Sequence, residues 1–418
     1  MARNVHIIGA GLAGLAAAVR LAKSGANVVL HEATAYPGGR CRSYFDRTIG
    51  MAIDNGNHLV LSGNHAVLGF AQAIGSASGL VGPATAEFPF VDLASNERWT
   101  LRINDGLPWW IFDASRRVPG TRLGEYLRLA RLLWVPTDVP VEQVIDCSGP
   151  LFERLVHPLL LAALNIEPRE GSAALASAIV RETLVLGGKA CRPLIAHAGL
   201  GPVFIEPALK HLTERGVNVR LEHELRAIRF AGDRISELDF GAEAVTLGAD
   251  DAVVLAVPAY AAAALVPGLN TPQGYRAIAN AHFRVAVPPD VPPILGVLNG
   301  TVEWIFAFDG RLSVTISSAD RLMDMPRATL AQTIWQEVSK ATGVSGEMPP
   351  WQIVRERRAT FAATVDDNAN RPAARTKWEN LVLAGDWTAT GLPATLESAV
   401  RSGNRAAELV AGMTVSAA

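Results

Sequence analysis

Apolar and polar residues alternate in short blocks at both ends of the chain. An apolar run at Val5–Ile8 predicts a buried parallel strand, Leu12–Ser24 a following helix, and Asn27–His31 a second strand. Further strands are predicted at Val217–Leu221, Leu225–Phe230, Ile235–Phe240, Ala252–Ala256 and Asn380–Ala384, and a last helix at Leu396–Gly412. This order is typical of a Rossmann-type α/β unit.

The middle of the chain has a different pattern, irregular and helical, at Leu107–Val135, Pro150–Leu164 and Ser172–Leu186. We therefore expect an α/β nucleotide-binding domain interrupted by a second domain of the α+β class. The predicted first domain is discontinuous and comprises residues 1–70, 200–265 and 375–418. The predicted second domain, which would bind substrate and face a membrane, comprises residues 71–199 and 266–374. No Gly/Ser-rich linker separates them, which favours one two-lobed body.

The sequence GAGLAG follows the first predicted strand directly and opens the first helix. Gly9 would allow a tight turn, Gly11 would let the backbone approach a pyrophosphate, and Gly14 would let the helix pack closely on the strand. Leu12 and Ala13 begin the helix, whose free N–H groups and positive dipole end attract phosphate. A glycine-rich turn without a ligand is the alternative, but the strand–turn–helix context favours a dinucleotide site.

Glu32 ends the second predicted strand, 18 residues after Gly14. An acid at this place can bind a ribose 2′-hydroxyl and disfavours a 2′-phosphate, so NADP is not expected. A second nucleotide site is not predicted either, because Gly199-Leu200-Gly201 lacks the third glycine and a following acid. Electrons would therefore be exchanged with a donor or acceptor that docks briefly, whose identity the sequence leaves open.

Two further segments favour FAD over NAD. Pro37-Gly38-Gly39-Arg40 follows Glu32 and offers a second backbone approach to the cofactor, with Arg40 as a charge partner; a plain surface turn is the alternative. In AGDWTATGLPATLESAVRSG (384–403), Asp386 follows a strand, and a helix begins near Thr395 and Leu396. Without the N-terminal motif this segment would indicate only a strand, a loop and a helix.

Composition narrows the classes of partner. The net charge of −2 argues against broad nucleic-acid binding, which needs a basic excess. The three cysteines are far apart without a CxxC pair, as expected of a reduced cytosolic protein without a zinc site. A signal peptide is not expected, because the first apolar run leads straight into the glycine motif. A membrane-spanning helix is not expected either, because the uncharged stretch from Ala252 to Leu269 is interrupted by prolines and a glycine.

Together GAGLAG, Glu32, GGR and AGDWT…SAVRSG resemble the amine oxidase/phytoene desaturase superfamily of flavoproteins, at both ends of the chain. Within it, DNGNHLVLSGNH (54–65), PLLLAALNIEP (158–168) and the 384–403 segment are similar to the squalene-associated desaturase branch. The resemblance implies FAD as cofactor, with Asp386 at its ribityl or phosphate region and the helix that begins near Thr395 and Leu396 facing the flavin pyrimidine. It further implies reduction of hydroxysqualene to squalene by reduced FAD, with loss of water, in hopanoid biosynthesis. The chain has Asn57 where Gln is typical of the branch.

That reaction needs a proton donor, because hydroxide is a poor leaving group. The resemblance brings the segment after GGR back towards the flavin, which makes His58, Asp54 and His65 candidates. His58 is our first choice, since a histidine pKa near ~6.5 suits proton delivery at neutral pH. The alternative is a histidine that only positions the flavin, and Asp54 could equally cap the DNG turn.

The segment 107–135 could bring the enzyme to its substrate. On one helix, a first face would hold Leu123, Tyr126, Leu127, Ala130, Leu133 and Trp134, and the opposite face Arg122, Glu125, Arg128 and Arg131. Arginines opposite aromatic and leucine side chains suit a helix in a membrane interface, but they equally suit an ordinary core-facing helix. The expected location is the cytoplasm, peripherally on the inner face of the cytoplasmic membrane.

Two other classes of function stay open from the sequence. A polyprenyl or carotenoid desaturase, or an amine oxidase, would use the same cofactor in the oxidising direction. A prenyl-lipid escort protein would share the fold without using flavin, although a carrier does not need complete glycine motifs.

Overall fold

The computed structural model describes residues 3–413. The strands are β1 (Asn4–Ile8), β2 (Asn27–His31), β3 (Ser43–Asp46), β4 (Met51–Asp54), β5 (Leu59–Leu61), β6 (Leu80–Val81), β7 (Ala86–Asp92), β8 (Arg98–Ile103), β9 (Pro193–Ala196), β10 (Asn218–Arg220), β11 (Ala227–Ala231), β12 (Arg234–Asp239), β13 (Ala244–Thr246), β14 (Ala252–Leu255), β15 (Tyr275–Arg284), β16 (Ile294–Leu298), β17 (Trp304–Phe308), β18 (Arg311–Ile316), β19 (Trp351–Phe361) and β20 (Leu381–Leu383).

The α-helices are α1 (Leu12–Lys23), α2 (His65–Ala73), α3 (Leu123–Leu129), α4 (Gly149–Leu151), α5 (His157–Leu164), α6 (Ala173–Val180), α7 (Gly188–Cys191), α8 (Glu206–Thr213), α9 (Ala259–Leu265), α10 (Arg327–Thr342), α11 (Val365–Ala369) and α12 (Leu396–Ala411). A π-helical turn joins α4 to α5 at Phe152–Val156, another follows α6 at Arg181–Val185, and a third precedes α8 at Gly201–Ile205.

A five-stranded parallel sheet lies at the centre of the nucleotide-binding part, in the order β10-β2-β1-β14-β20. Its strands come from both ends of the chain and from the 218–255 region. Helices α1 and α12 contribute their apolar faces to the same buried cluster as these strands. The predicted Rossmann-type α/β fold is confirmed, and the predicted strands and helices in it shift by no more than two residues.

A second, mixed sheet has the order β19-β15-β18-β17-β16-β7-β8, in which only β16 and β7 pair in parallel. Its strands fall within residues 86–103 and 275–361. Helix α10 covers one face, because Leu330, Ile334 and Val338 are buried in one cluster with Ile305 and Val314. The domain boundaries given above stay a prediction.

The segment 107–135 does not form the single amphipathic helix of the sequence analysis. Helix α3 ends at Leu129, and a 3₁₀ turn follows at Ala130–Leu133. The predicted apolar face is wrong, because the tighter turn redirects the side chains after Leu129 and because α3 itself leaves Leu127 exposed. Tyr126 is buried, whereas Leu127 and Trp134, predicted for the same face, are 55% and 83% exposed.

Within residues 3–413, no helix is both long enough and apolar enough to cross a membrane.

Candidate active site

The GAGLAG loop joins β1 to α1, and two of its three glycines cannot be replaced without conflict. Gly9 has φ +105°, and a Cβ there would lie 2.6 Å from the Ala256 carbonyl oxygen. A Cβ on Gly14 would lie 1.9 Å from the carbonyl oxygen of Gly9. The turn and the close helix–strand packing predicted for these two glycines are both present.

Gly11 differs from its neighbours because the space in front of it is open. A Cβ built there has no atom within 4 Å, so packing alone does not require glycine. Gly38 N donates to the Ala10 carbonyl at 2.8 Å, and Gly38 forms a parallel bridge with Gly11. The two glycine-rich loops therefore lie side by side at the start of α1, where Leu12 and Ala13 form the first turn. This arrangement leaves room for a pyrophosphate at a helix N-terminus.

Glu32 follows β2 directly and turns back to the same loop. Its Oε2 accepts a hydrogen bond from Ala10 N at 2.9 Å, and its Oε1 accepts from Thr34 N and Thr34 Oγ1 at 3.0 Å. The carboxylate is therefore fixed beside the open space at Gly11, where a ribose hydroxyl could replace or join these donors.

Arg40, directly after Gly38 and Gly39, forms an ion pair with Asp386 in the loop after β20. Arg40 Nη2 donates to both carboxylate oxygens of Asp386 at 2.7 Å, and Nη1 donates to the Ala359 carbonyl at 2.5 Å. The carboxylate raises the pKa of Arg40 further above its usual value. The sequence predicted a contact of each residue with the cofactor; it did not predict that they bind each other.

Buried Arg371 holds the loop around Asp386 and was missed by the sequence analysis. Its Nη2 donates to the carbonyl oxygens of Asp386 and Thr388, and its guanidinium lies 4.8 Å from the centre of the Phe361 ring. Burial lowers the pKa of Arg371 to about 10. No local sequence pattern identifies Arg371, because its partners Asp386 and Thr388 lie 15 and 17 residues later, beyond β20.

Thr395 caps α12 as predicted, accepting from Ser398 N at 3.1 Å, and Leu396 is the buried first residue of that helix. The next residue, Glu397, was also missed. Its carboxylate is buried and accepts from Ala66 N and Val67 N at the start of α2.

His65, one of the three candidate proton donors, is the first residue of α2 and is exposed. The structure therefore does not shield this candidate from water.

A chain of amides and a hydroxyl connects the 54–65 segment to the seven-stranded sheet. Asn57 Nδ2 donates to Thr315 Oγ1 at 3.1 Å, and Thr315 Oγ1 donates to Asn280 Oδ1 at 2.9 Å. Asn57 Oδ1 is buried without a hydrogen-bond partner. A buried acceptor without a donor is costly, so this oxygen indicates a ligand that donates a hydrogen bond here.

His58 follows Asn57 and does not have an ordinary histidine pKa. Burial, and secondly the charge of Arg40, lower the pKa of His58 to about 4. The reason given for His58 as proton donor, a pKa near neutrality, is therefore wrong in this structure. Asp54 is buried, accepting from Ser43 Oγ and Leu200 N, and burial raises the pKa of its carboxyl above the usual value.

Glu303, which the sequence analysis did not consider, has a pKa close to neutrality. Burial raises the pKa of Glu303 to about 7, against the opposing hydrogen bond from Ser317 N at 2.8 Å. Ser317 directly follows β18, and Glu303 directly precedes β17. Neighbouring Trp304 meets Phe90 edge to face, with ring centres 5.5 Å apart.

These observations fit FAD better than an empty glycine turn. The open space at Gly11, the fixed carboxylate of Glu32 and the orphaned Asn57 Oδ1 are features that a protein without a cofactor does not need. A model of the family described as flavin containing amine oxidoreductase matches residues 12–411.

The chain belongs to this flavin-containing amine oxidoreductase family. It is an FAD-dependent oxidoreductase. The prediction of the cofactor and of the enzyme class is thus confirmed.

Full-length relatives are similar to the chain. A protein of Rhodopseudomonas palustris named hydroxysqualene dehydroxylase is 62% identical, with 98% of this chain and 99% of the relative covered. Proteins of the same name from Sinorhizobium fredii and Zymomonas mobilis are 58% and 45% identical, covering 99% and 97% of this chain and 100% and 98% of their own lengths.

Solved structures share the fold at low identity. Cyclohexylamine oxidase from Brevibacterium oxydans superposes with a TM-score of 0.72 at 17% identity, covering 98% of this chain and 99% of its own. A putative protoporphyrinogen oxidase from Exiguobacterium gives a TM-score of 0.68 at 20% identity, covering 98% of each chain. At such identities the likeness supports the architecture alone.

Proposed function

We propose that the chain reduces hydroxysqualene to squalene with loss of water, using reduced FAD. The observation that carries this proposal is the similarity along nearly the whole length to three relatives named hydroxysqualene dehydroxylase, up to 62% identical. The oxidising alternatives, a desaturase or an amine oxidase, rest only on the shared fold. The escort alternative conflicts with membership of a flavin-containing oxidoreductase family.

FAD would be held by residues from both ends of the chain. The pyrophosphate would lie at Gly11 and the α1 N-terminus, with Glu32 at the ribose and Asp386 and the α12 N-terminus at the ribityl and flavin end. Gly38 and Gly39 would lie against the pyrophosphate loop, and Arg40 would position Asp386. When bound, the flavin supplies hydride to carbon.

The triterpene would lie against the apolar side chains on the side of the sheet opposite α10. On β17, Ile305 points to α10, whereas Trp304 and Phe306 alternate to the other face. Phe306 is buried with Ile195 and Ile294, and Leu59, the neighbour of His58, packs against the same cluster. An apolar surface beside His58 would exclude water from a developing allylic cation.

Two residues compete for the role of proton source. His58 is adjacent to the apolar cluster, but a pKa of about 4 leaves it neutral at pH 7. Glu303 has a pKa of about 7 and accepts from Ser317 N just after β18, the strand whose Thr315 contacts Asn57. We therefore place the proton on Glu303 and give neutral His58 a positioning role; Asp54 holds the β4 end through Ser43 and Leu200.

Part of the 107–135 segment would bring the enzyme to the bilayer, on its cytoplasmic face. Exposed Trp109, Phe112, Leu127 and Trp134 form this membrane-facing group, with exposed fractions from 52% to 83%. Arg128 and Arg131 are exposed in the same segment and would attract anionic headgroups. Trp110 does not belong to the group, because it is 2% exposed and packs edge to face on Tyr126.

The deciding experiment is a single turnover without oxygen. Protein reduced by dithionite is mixed with hydroxysqualene, and flavin reoxidation is followed by absorbance while squalene is measured by gas chromatography. We expect one squalene for each flavin reoxidised. Reoxidation without squalene, or a flavin that stays reduced, would refute the proposal; phytoene and a primary amine offered to oxidised enzyme test the oxidising alternatives.

A further inference from the structure

The proposed reaction consumes two electrons that the chain cannot obtain from a second nucleotide site. The C–O bond breaks, the hydroxyl group leaves with a proton as water, and carbon gains hydride. GAGLAG is the one complete dinucleotide motif in the sequence, so the oxidised flavin must be reduced again by a donor that comes from outside. The need for an outside electron donor therefore rests on the proposed function.

Four arginines belong to the free edge of the seven-stranded sheet, where β19 is the outermost strand, and three of them, all but Arg358, lie close to one another. The four are Arg355, Arg357 and Arg358 of β19 and Arg327 at the start of α10, here called the basic edge. Arg327 donates to the Ile353 carbonyl in β19. Burial, and next the charges of Arg327 and Arg357, lower the pKa of Arg355, which agrees with their close approach.

Glu356 within β19 and Asp324 beside Arg357 offset part of the charge of the basic edge, and a positive excess remains. Arg355 donates to the carbonyl oxygens of Met323 and Met325, which carry no net charge. Arg357 is paired with Asp324, but the Asp324 side chain is 91% exposed, and such a pair contributes little. A positive surface on a chain with a net charge of −2 is a local feature that overall composition does not explain.

The basic edge adjoins the cofactor residues directly. The Arg358 guanidinium lies 4.6 Å from the centre of the Tyr260 ring, which is partly exposed. The next residue, Ala359, accepts the hydrogen bond from Arg40, and Arg40 is paired with Asp386. A protein bound over Arg358 would therefore be separated from the Arg40–Asp386 pair by a single strand.

We propose that an acidic electron-carrier protein of the ferredoxin class docks on the basic edge and reduces the flavin. Two carriers would each lose one electron to one oxidised flavin, and two protons would come from solvent, which restores the two-electron reduced cofactor. Charge complementarity would raise the association rate, and this rate would fall with salt.

An anionic bilayer would be a different partner for the same charge, but the surface fits it less well. Tyr260 is the large exposed apolar side chain that the basic edge adjoins, whereas Trp109, Phe112, Leu127 and Trp134 lie in another segment. Membrane insertion needs apolar side chains as well as positive charge.

The test uses the holoenzyme with a plant-type [2Fe–2S] ferredoxin, kept reduced by NADPH and ferredoxin reductase. Arg357→Glu/Arg358→Glu is compared with Lys23→Glu/Arg215→Glu, which reverses two exposed charges on α1 and after α8. We expect the second-order rate constant for flavin reduction to fall at least about tenfold in the first variant only, with a weaker salt dependence. The Kd for ferredoxin, measured by interferometry, should rise in parallel, while reduction by dithionite stays unchanged.

Three outcomes would overturn the docking proposal. Ferredoxin could fail to reduce the wild type, or the rate constant for flavin reduction could fall equally in both variants. In the third, the Arg357→Glu/Arg358→Glu variant loses binding to anionic vesicles but is reduced by ferredoxin at the wild-type rate. None of these outcomes tests the proposed reaction, which is measured separately by mixing dithionite-reduced wild type with hydroxysqualene.

Discussion

Arg40 Nη2 lies 2.7 Å from both carboxylate oxygens of Asp386, although 346 residues separate the two in sequence. The Asp386 side chain is 7% exposed and that of Arg40 44% exposed, so the acid is buried and its partner reaches towards solvent. The pair joins the loop after β2 to the loop after β20. It therefore fixes the two ends of the chain around the proposed cofactor position.

Breaking this pair should destabilise the protein even without cofactor. Arg40→Gln and Asp386→Asn are each expected to cost about 1–3 kcal/mol, less than a fully buried pair because Arg40 is partly exposed. The coupling energy is obtained from urea unfolding of FAD-free wild type, both single variants and the double variant. If the two single costs simply add, the contact contributes nothing and the two residues act separately.

Gly11→Val separates cofactor binding from folding. The side chain meets no protein atom close to Cβ, so we expect a folded protein with a melting temperature near that of FAD-free wild type, but without bound flavin. Gly14→Ala should instead fold poorly, because its Cβ would lie 1.9 Å from the Gly9 carbonyl oxygen. Absorbance at the flavin band and circular dichroism measure the two properties.

Gly69→Ala is the matched control for Gly11→Val, since its Cβ also meets nothing within 4 Å but lies on α2. It should keep full flavin content. A yellow Gly11→Val protein would place the pyrophosphate elsewhere.

Removal of the exposed aromatic side chains should weaken membrane binding. Trp109→Ala/Phe112→Ala/Trp134→Ala is expected to lower the partition coefficient on anionic vesicles at least about tenfold, because each ring contributes apolar area to the bilayer. Tyr36→Ala/Phe45→Ala removes two rings that are 70% and 66% exposed in another region, and should float like wild type. Equal flotation of all three proteins would contradict the proposed membrane-facing group.

The sequence predicted the features formed by residues close together in the chain. It missed the contacts between residues that are far apart in the chain. GAGLAG and Glu32 follow from residue types within one βαβ unit, where spacing determines geometry. Arg371 could not be found in this way because its partners lie in the loop after β20, and Glu303 could not because β17 and β18 must first pair. The helical face at 107–135 was wrong after Leu129 because the chain changes from α to 3₁₀ geometry at Ala130, and wrong at Leu127 because α3 buries Tyr126 instead.

The raised pKa of Glu303 should make the protein less stable as pH rises. The folded pKa of about 7 lies above the ordinary value of 4.5, so the folded state holds the proton more tightly. The free energy of unfolding should therefore fall between pH 4.5 and 7, by at most about 3 kcal/mol, and level off above. Glu303→Gln should remove this component, measured as urea midpoints at pH 5 and 8; identical pH slopes in both proteins would show an ordinary Glu303 pKa.

The same ionisation should control the chemical step. With Glu303 as proton source, single-turnover flavin reoxidation by hydroxysqualene should be constant from pH 5 to 6.5 and fall about tenfold per unit above about pH 7.5, since the acid must be protonated. Glu303→Gln should lose about 10²–10⁴-fold in rate and the pH dependence, because an amide cannot release a proton. His58 would be protonated in only about one molecule in a thousand at pH 7, so His58→Gln should lose less than about tenfold and keep the wild-type profile. A profile that falls from pH 4 upwards, and that His58→Gln abolishes, would instead return the proton to His58.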